Sequence, residues 1–123
     1  MPKIIINSSI KSSDTTDVIK NKQAIKNTDL INLYHDGVNN KIELKKDKVK
    51  LTRDSKESLI ILEFEQDKTI DGKYVIKDLS LNMNIKVSTK KLQIDDNGFK
   101  IEYDLFINDV YSDSFIYEFE WRC

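Results

Sequence analysis

Leu79, Leu81, Met83, Ile85 and Val87 alternate without interruption with Ser80, Asn82, Asn84, Lys86 and Ser88. A period of two puts one set on each face of a pleated strand, whereas a helix would scatter the apolar set around its surface. The same pattern returns in Phe99, Ile101, Tyr103, Leu105 and Ile107, and again in Phe115, Tyr117, Phe119 and Trp121. All three segments are predicted to be half-buried strands. The rest of the chain agrees: Ala24 is the lone alanine, while the β-branched and aromatic residues that suit a pleated sheet are plentiful.

The connections can be read from turn chemistry. Asn108-Asp109-Val110 is predicted to be a three-residue loop that pairs Tyr103 with Phe115, Ile101 with Tyr117 and Phe99 with Phe119, bringing every large ring to one face. Asn97-Gly98 is predicted to form a type I′ turn, whose two central positions need positive φ; Ile94 would then face Ile101, and Leu92 would face Tyr103. The apolar phase slips from odd positions through Val87 to even positions at Leu92 and Ile94. One extra residue must therefore be absorbed between Ser88 and Lys91, which predicts a β-bulge or sharp bend.

Upstream, Ile42 and Leu44 face Leu51 and Val49 if Lys46-Asp47 is the loop. The run from Leu59 to Phe64 is apolar on both faces, as in a strand covered on each side; a short buried helix would give the same run, but its length and flanking turn residues favour strand. Asp71-Gly72 is either a turn or a kink within a strand from Thr69 to Ile76. Ile4, Ile6 and Ile10 mark a first strand, 12–16 a turn, and 18–25 and 30–34 two further strands.

About ten strand segments with short turns leave a sandwich or a barrel. Successive hairpins close most simply into a barrel, which removes both edge strands. The expected fold is all-β: a small closed antiparallel up-and-down barrel of about eight to ten strands with little or no helix. It is expected to form one domain over residues 1–123, since no linker, repeat or low-complexity tract interrupts the chain. No apolar run approaches the length of a membrane span, and the three consecutive isoleucines near the start are too few for a secretory signal. The single cysteine, Cys123, allows no internal disulfide, and a cytoplasmic location is expected.

Net charge is −1, but the charges are unevenly spread. From Lys41 to Lys56 seven basic residues stand against three acidic ones; from Asp95 to Glu120 eight acidic residues stand against Lys100 alone. The two hairpins should be solvated faces of opposite sign, unless they lie side by side and neutralise each other.

Between about Leu30 and Trp121 the chain resembles the YwiB-like family of small bacterial proteins. The stretches that carry the resemblance are Val87-Ser88-Thr89-Lys90-Lys91-Leu92, the run from Ile101 to Asn108, and Lys48-Val49-Lys50-Leu51-Thr52-Arg53. The resemblance implies a lipocalin-like barrel and, because that family has no assigned biochemical role, it implies no mechanism. The sequence departs from the family where a Thr-Pro-aromatic-Gly element usually enters the long strand; here those positions hold Asp78-Leu79-Ser80-Leu81.

Catalytic chemistry is hard to place. His35, the one histidine, sits beside a turn in Tyr34-His35-Asp36-Gly37 and reads as a polar turn residue rather than the base of a triad. One histidine and one cysteine do not make a zinc site, and Asp95-Asp96-Asn97-Gly98 lacks the alternating acidic spacing of a calcium loop. Glu102, Glu118 and Glu120 lie on the polar side of their strands, where no burial would raise a carboxyl pKa for acid catalysis. With Gly37, Gly72 and Gly98 as its only glycines, the chain has no phosphate loop, and no cofactor is expected. The basic hairpin has Arg53 as its single arginine and no aromatic residue for base stacking, which argues against nucleic acid.

Two non-enzymatic functions follow. In the first, a small apolar or amphipathic ligand occupies a lumen lined by Leu81, Met83, Ile85, Tyr103, Phe115 and Tyr117, unless these side chains fill the interior themselves. In the second, Leu59, Ile61, Phe106 and Ile116, out of phase with the inward residues, form an outer apolar patch for a homodimer or another protein, unless the N-terminal segment covers them.

Overall fold

The structure, a computed structural model, describes residues 3–123. The strands are β1 (Lys3–Lys11), β2 (Thr16–Asn27), β3 (Leu30–His35), β4 (Val38–Lys45) and β5 (Lys48–Asp54), then β6 (Ser58–Glu65), β7 (Thr69–Ile76), β8 (Leu81–Asp95), β9 (Gly98–Ile107) and β10 (Val110–Arg122). They close into an antiparallel barrel in the order β1-β10-β9-β8-β7-β6-β5-β4-β3-β2. Each strand lies beside its chain neighbours, and β1 shuts the ring against β10, from Ile5 opposite Arg122 to Lys11 opposite Ile116. The fold is thus the closed barrel and not the sandwich.

The last hairpin has the predicted pairs, Tyr103 with Phe115, Ile101 with Tyr117 and Phe99 with Phe119, but reaches them by another route. Asn108 and Asp109 alone make the turn, with φ of 51° and 65°, and Ile107 pairs with Val110. Two positive φ values are the requirement of a type I′ turn. The third residue of the expected loop is displaced to Ser112, a bulge between Tyr111 and Asp113 that restores the register. The bulge predicted in β8 is present: Thr89 faces Tyr103 and Lys91 faces Glu102, leaving Lys90 as the extra residue.

The Asn97-Gly98 turn is not observed. Asp96 and Asn97 form the loop, Asp95 faces Gly98, and the pairs are Ile94 with Phe99 and Leu92 with Ile101. Gly98 is used for close approach instead: it is buried, and a Cβ there would overlap the Phe119 carbonyl oxygen of β10. The turn is held by the Asn97 N–H donating to the Asp95 carboxylate at 2.9 Å. Asp71-Gly72 resolves in the same way, within a continuous β7, where a Cβ on Gly72 would lie 2.6 Å from the Ile61 carbonyl oxygen and 3.0 Å from the Ile85 side chain. Leu79, predicted to belong to the long strand, lies in a 3₁₀ turn (Lys77–Leu79) that precedes it and is 70% exposed.

Inward positions of every strand feed one core, in which Ile6, Ile31, Ile42, Leu51, Phe64 and Ile101 are fully buried. Each such side chain is worth about 1.5–3 kcal/mol relative to exposure. The basic hairpin β4–β5 and the acidic hairpin β9–β10 stand on opposite walls, so they do not neutralise each other. The acidic hairpin is instead met by its neighbour β8, through Lys86 to Asp109 and Lys90 to Asp104, both at 3.0 Å.

Candidate functional site

The wall of the barrel has a seam. β2 runs for 12 residues, yet its ladder with β3 holds only from Ile25 opposite Asn32 to Asn27 opposite Leu30. Residues 16–24 of β2 therefore have no ladder partner on the β3 side. Within this unpaired stretch β2 carries a bulge against β1, where Ile6 faces Lys22 but Ser8 faces Ile19. Asn21 takes up the extra length with φ of 50°; its N–H donates to Asn7 Oδ1 at 3.0 Å, and its own Oδ1 accepts from Arg122 Nη2 at 3.2 Å. A bulge bends its strand, and on both sides of this one β2 stays paired with β1 while it has no ladder with β3.

Two spaces meet at the seam. Outside is a depression of about 530 Å³ whose apolar wall includes Ala24, Ile25, Leu33 and Tyr34. Inside is a cavity of about 20 Å³, bordered by Asp17 and Ile19 of β2, Arg53 of β5 and Tyr117 of β10. Leu33 and Asn40 line both. The inner cavity holds little more than a water molecule.

Arg53 is the unexpected member. It shares the inward phase of Val49 and Leu51, and its Nε is buried without a hydrogen-bond partner. None of the ion pairs among the described residues includes it. Asn40 is already engaged, donating through Nδ2 to the carbonyls of Leu33 and Val38, each at 3.3 Å. Burial pushes the hydroxyl of Tyr117 above the usual phenol range; Tyr103 and Asp17 add to the rise and the Arg53 charge opposes it. Tyr103 is raised by burial too, again against Arg53. In sequence, Arg53 read only as part of a basic hairpin, although its odd-numbered alternation with Val49 and Leu51 was the signal that it points inward.

Of the six residues predicted to line an open lumen, Ile85, Tyr103, Phe115 and Tyr117 belong to the packed core. Ile85, Tyr103 and Tyr117 are buried and Phe115 packs against them. Tyr103 lies 4.8 Å from Phe64 and 5.2 Å from Phe115 between ring centroids, and Phe99 stacks on Phe119 at 5.0 Å. These rings fill the width of the barrel, which corrects the expectation of a chamber among them. Met83 is only half-buried, and Leu81, at the start of β8, is 47% exposed.

The predicted outer patch is also divided. Leu59 and Ile61 face outward from β6, Phe106 and Ile116 from β9 and β10, and the outer faces of β7 and β8 intervene with Lys73 and Lys86. β1 stands across the barrel from β6 and does not cover Leu59 or Ile61. His35 lies half-buried at the end of β3 with Nε2 3.2 Å from Asp36. Glu118 and Glu120 are exposed on the outer wall, beside a larger depression of about 920 Å³ that mixes them with Lys20, Lys100 and Arg122. None of the buried unpartnered polar atoms lies there, whereas one of them, Arg53 Nε, belongs to a residue that lines the cavity behind the seam.

A closed ten-stranded antiparallel barrel with a packed aromatic core and a lateral seam defines the class of protein. The chain belongs to the family described as Domain of unknown function (DUF1934), whose model matches residues 4–118. It is similar in fold to the crystal structure of the YwiB protein from Bacillus subtilis, at 17% identity and a TM-score of 0.59 over 98% of this chain and 91% of that one. No curated protein matches the sequence.

Proposed function

We propose that the protein is a non-enzymatic binding barrel that takes a small amphipathic molecule at the β2–β3 seam, not in a central chamber. Adjacency carries this: Leu33 and Asn40 stand between the two spaces, so a ligand body in the outer depression lies one layer of side chains from the cavity that Arg53 lines. The depression lies in the size range of small-molecule sites, roughly 300–1,000 Å³. Binding is favoured over catalysis because the Tyr117 hydroxyl, in the residue that lines the cavity with Arg53, has its pKa pushed upward and makes a poor base near neutrality. A lone exposed thiol at Cys123 suits a cytosolic setting.

The neutral fluorophore 1-N-phenylnaphthylamine tests the site. Saturable enhancement at one probe per barrel is expected, weakened about tenfold by Ile25→Lys in the depression and unchanged by Ile116→Lys on the far outer wall. Absence of saturation, or equal loss in both variants, overturns the seam as the site.

A smaller version of the outer patch supports a second function, self-association. Phe106 and Tyr111 meet edge to face at 5.9 Å on the outer wall, and Ile116 is exposed on the same wall. Light scattering coupled to size exclusion tests it; a strict monomer removes the homodimer.

A further inference from the structure

We infer that the seam selects an amphipathic monocarboxylate whose head is held by Arg53, an inference that deepens the proposed function and rests on it. A guanidinium presents five N–H donors in a fixed fork that matches a carboxylate in bidentate fashion. Arg53 points such a fork inward at a cavity wall, with Nε buried and unpartnered. Arg53 as a whole is half-buried, but its Nε–H is buried, and a buried donor that served only the fold would carry an acceptor, because leaving one unsatisfied is costly. Among the described residues the Arg53 Nε–H has none: Asp17 borders the cavity without forming an ion pair, and the opposite wall offers the neutral hydroxyl of Tyr117.

The charge count sets the class of head group. The inner cavity is lined by no second cation, and Asp17 on its β2 side would repel a dianion. A single negative charge on a planar head fits; a phosphate dianion does not. The tail is assigned to the outer depression, along Ala24, Ile25, Leu33 and Tyr34. The head must displace what little water the 20 Å³ cavity holds and spread the seam, and the missing ladder between residues 16–24 and β3 lets the wall move there.

Calorimetric titration of the full chain with decanoate and with decanol reads the inference. The expected result is decanoate binding about tenfold or more tighter than decanol. Arg53→Gln should erase that preference while leaving decanol affinity unchanged, and Asp17→Asn should tighten decanoate alone. If Arg53→Gln does not fold, Arg53→Lys keeps the charge but loses the fork and should show a partial loss of preference. Equal affinity of the native chain for both probes, or an Arg53 variant that keeps the full preference, overturns the carboxylate while the seam stands. Failure of both probes to bind overturns the seam as well.

Discussion

Arg53 on β5 and Tyr117 on β10 border one small cavity from opposite walls of the barrel, and Arg53 has no ion-pair partner among the described residues. Sites kept for binding often cost the fold stability. Arg53→Met, which fills similar volume without a buried unpartnered N–H, should raise stability by about 1 kcal/mol, read as a higher urea midpoint with an unchanged slope. A clear fall in the midpoint would mean that the guanidinium is a structural strut.

Two tyrosines make the barrel sensitive to alkali. Tyr103 and Tyr117 have their pKa raised above the ordinary phenol value of 10.0 in the fold, chiefly by burial. Above pH 10 the unfolded chain gives up these protons while the folded chain keeps them, so the stabilisation is complete below that pH and is lost as pH climbs toward the folded values. In a spectrophotometric titration, two of the five tyrosines should ionise only together with unfolding. The double variant Tyr103→Phe, Tyr117→Phe should flatten the alkaline fall in stability; an unchanged fall would assign it elsewhere.

The glycines rank by what a methyl group would meet. At Gly98 it overlaps the Phe119 carbonyl, at Gly72 it lies 2.6 Å from the Ile61 carbonyl, and at Gly37 it meets nothing but sits at φ of 77°. Alanine should therefore cost most at Gly98, about 3 kcal/mol or more at a site that must shift backbone, somewhat less at Gly72, and about 1 kcal/mol at Gly37 from left-handed strain alone. Thermal melts of the three variants check the order, and a Gly37 variant worse than Gly98 would contradict it.

The seam should open before the rest of the barrel. Amides of 16–24 that face β3, and of Leu33 to His35 that face β2, lack ladder partners, whereas β9 is paired on both sides along its length. Hydrogen exchange should be fastest along these edges and slowest at Ile101 and Tyr103. Uniform protection around the ring would mean that β2 and β3 are held together in solution.

Alternation in β8, β9 and β10 was enough to read the strands, the aromatic face and the Lys90 bulge, because one residue of slip moves every side chain to the other face. Gly98 misled and Gly72 stayed open between two alternatives for one reason: sequence shows a residue that permits positive φ, but both glycines are there for close approach to a neighbouring strand. Leu81 at the first position of β8 and Leu79 in the turn before it continue the apolar phase to the rim of the barrel, where both are exposed. The seam was not legible, since it depends on where β2 parts from β3 while staying paired with β1, a relation between three strands. Arg53 was legible in principle from its phase in β5, and was masked by the lysines around it.

The seam and its inward arginine are tested most directly by a two-dimensional proton–nitrogen NMR titration with decanoate that includes the arginine side-chain region. The account predicts that Arg53 Nε–H and the amides of Ala24, Leu33 and Asn40 shift together and saturate with one ligand per barrel. Shifts confined to the larger depression around Lys100 and Glu120, or none at all, would contradict it.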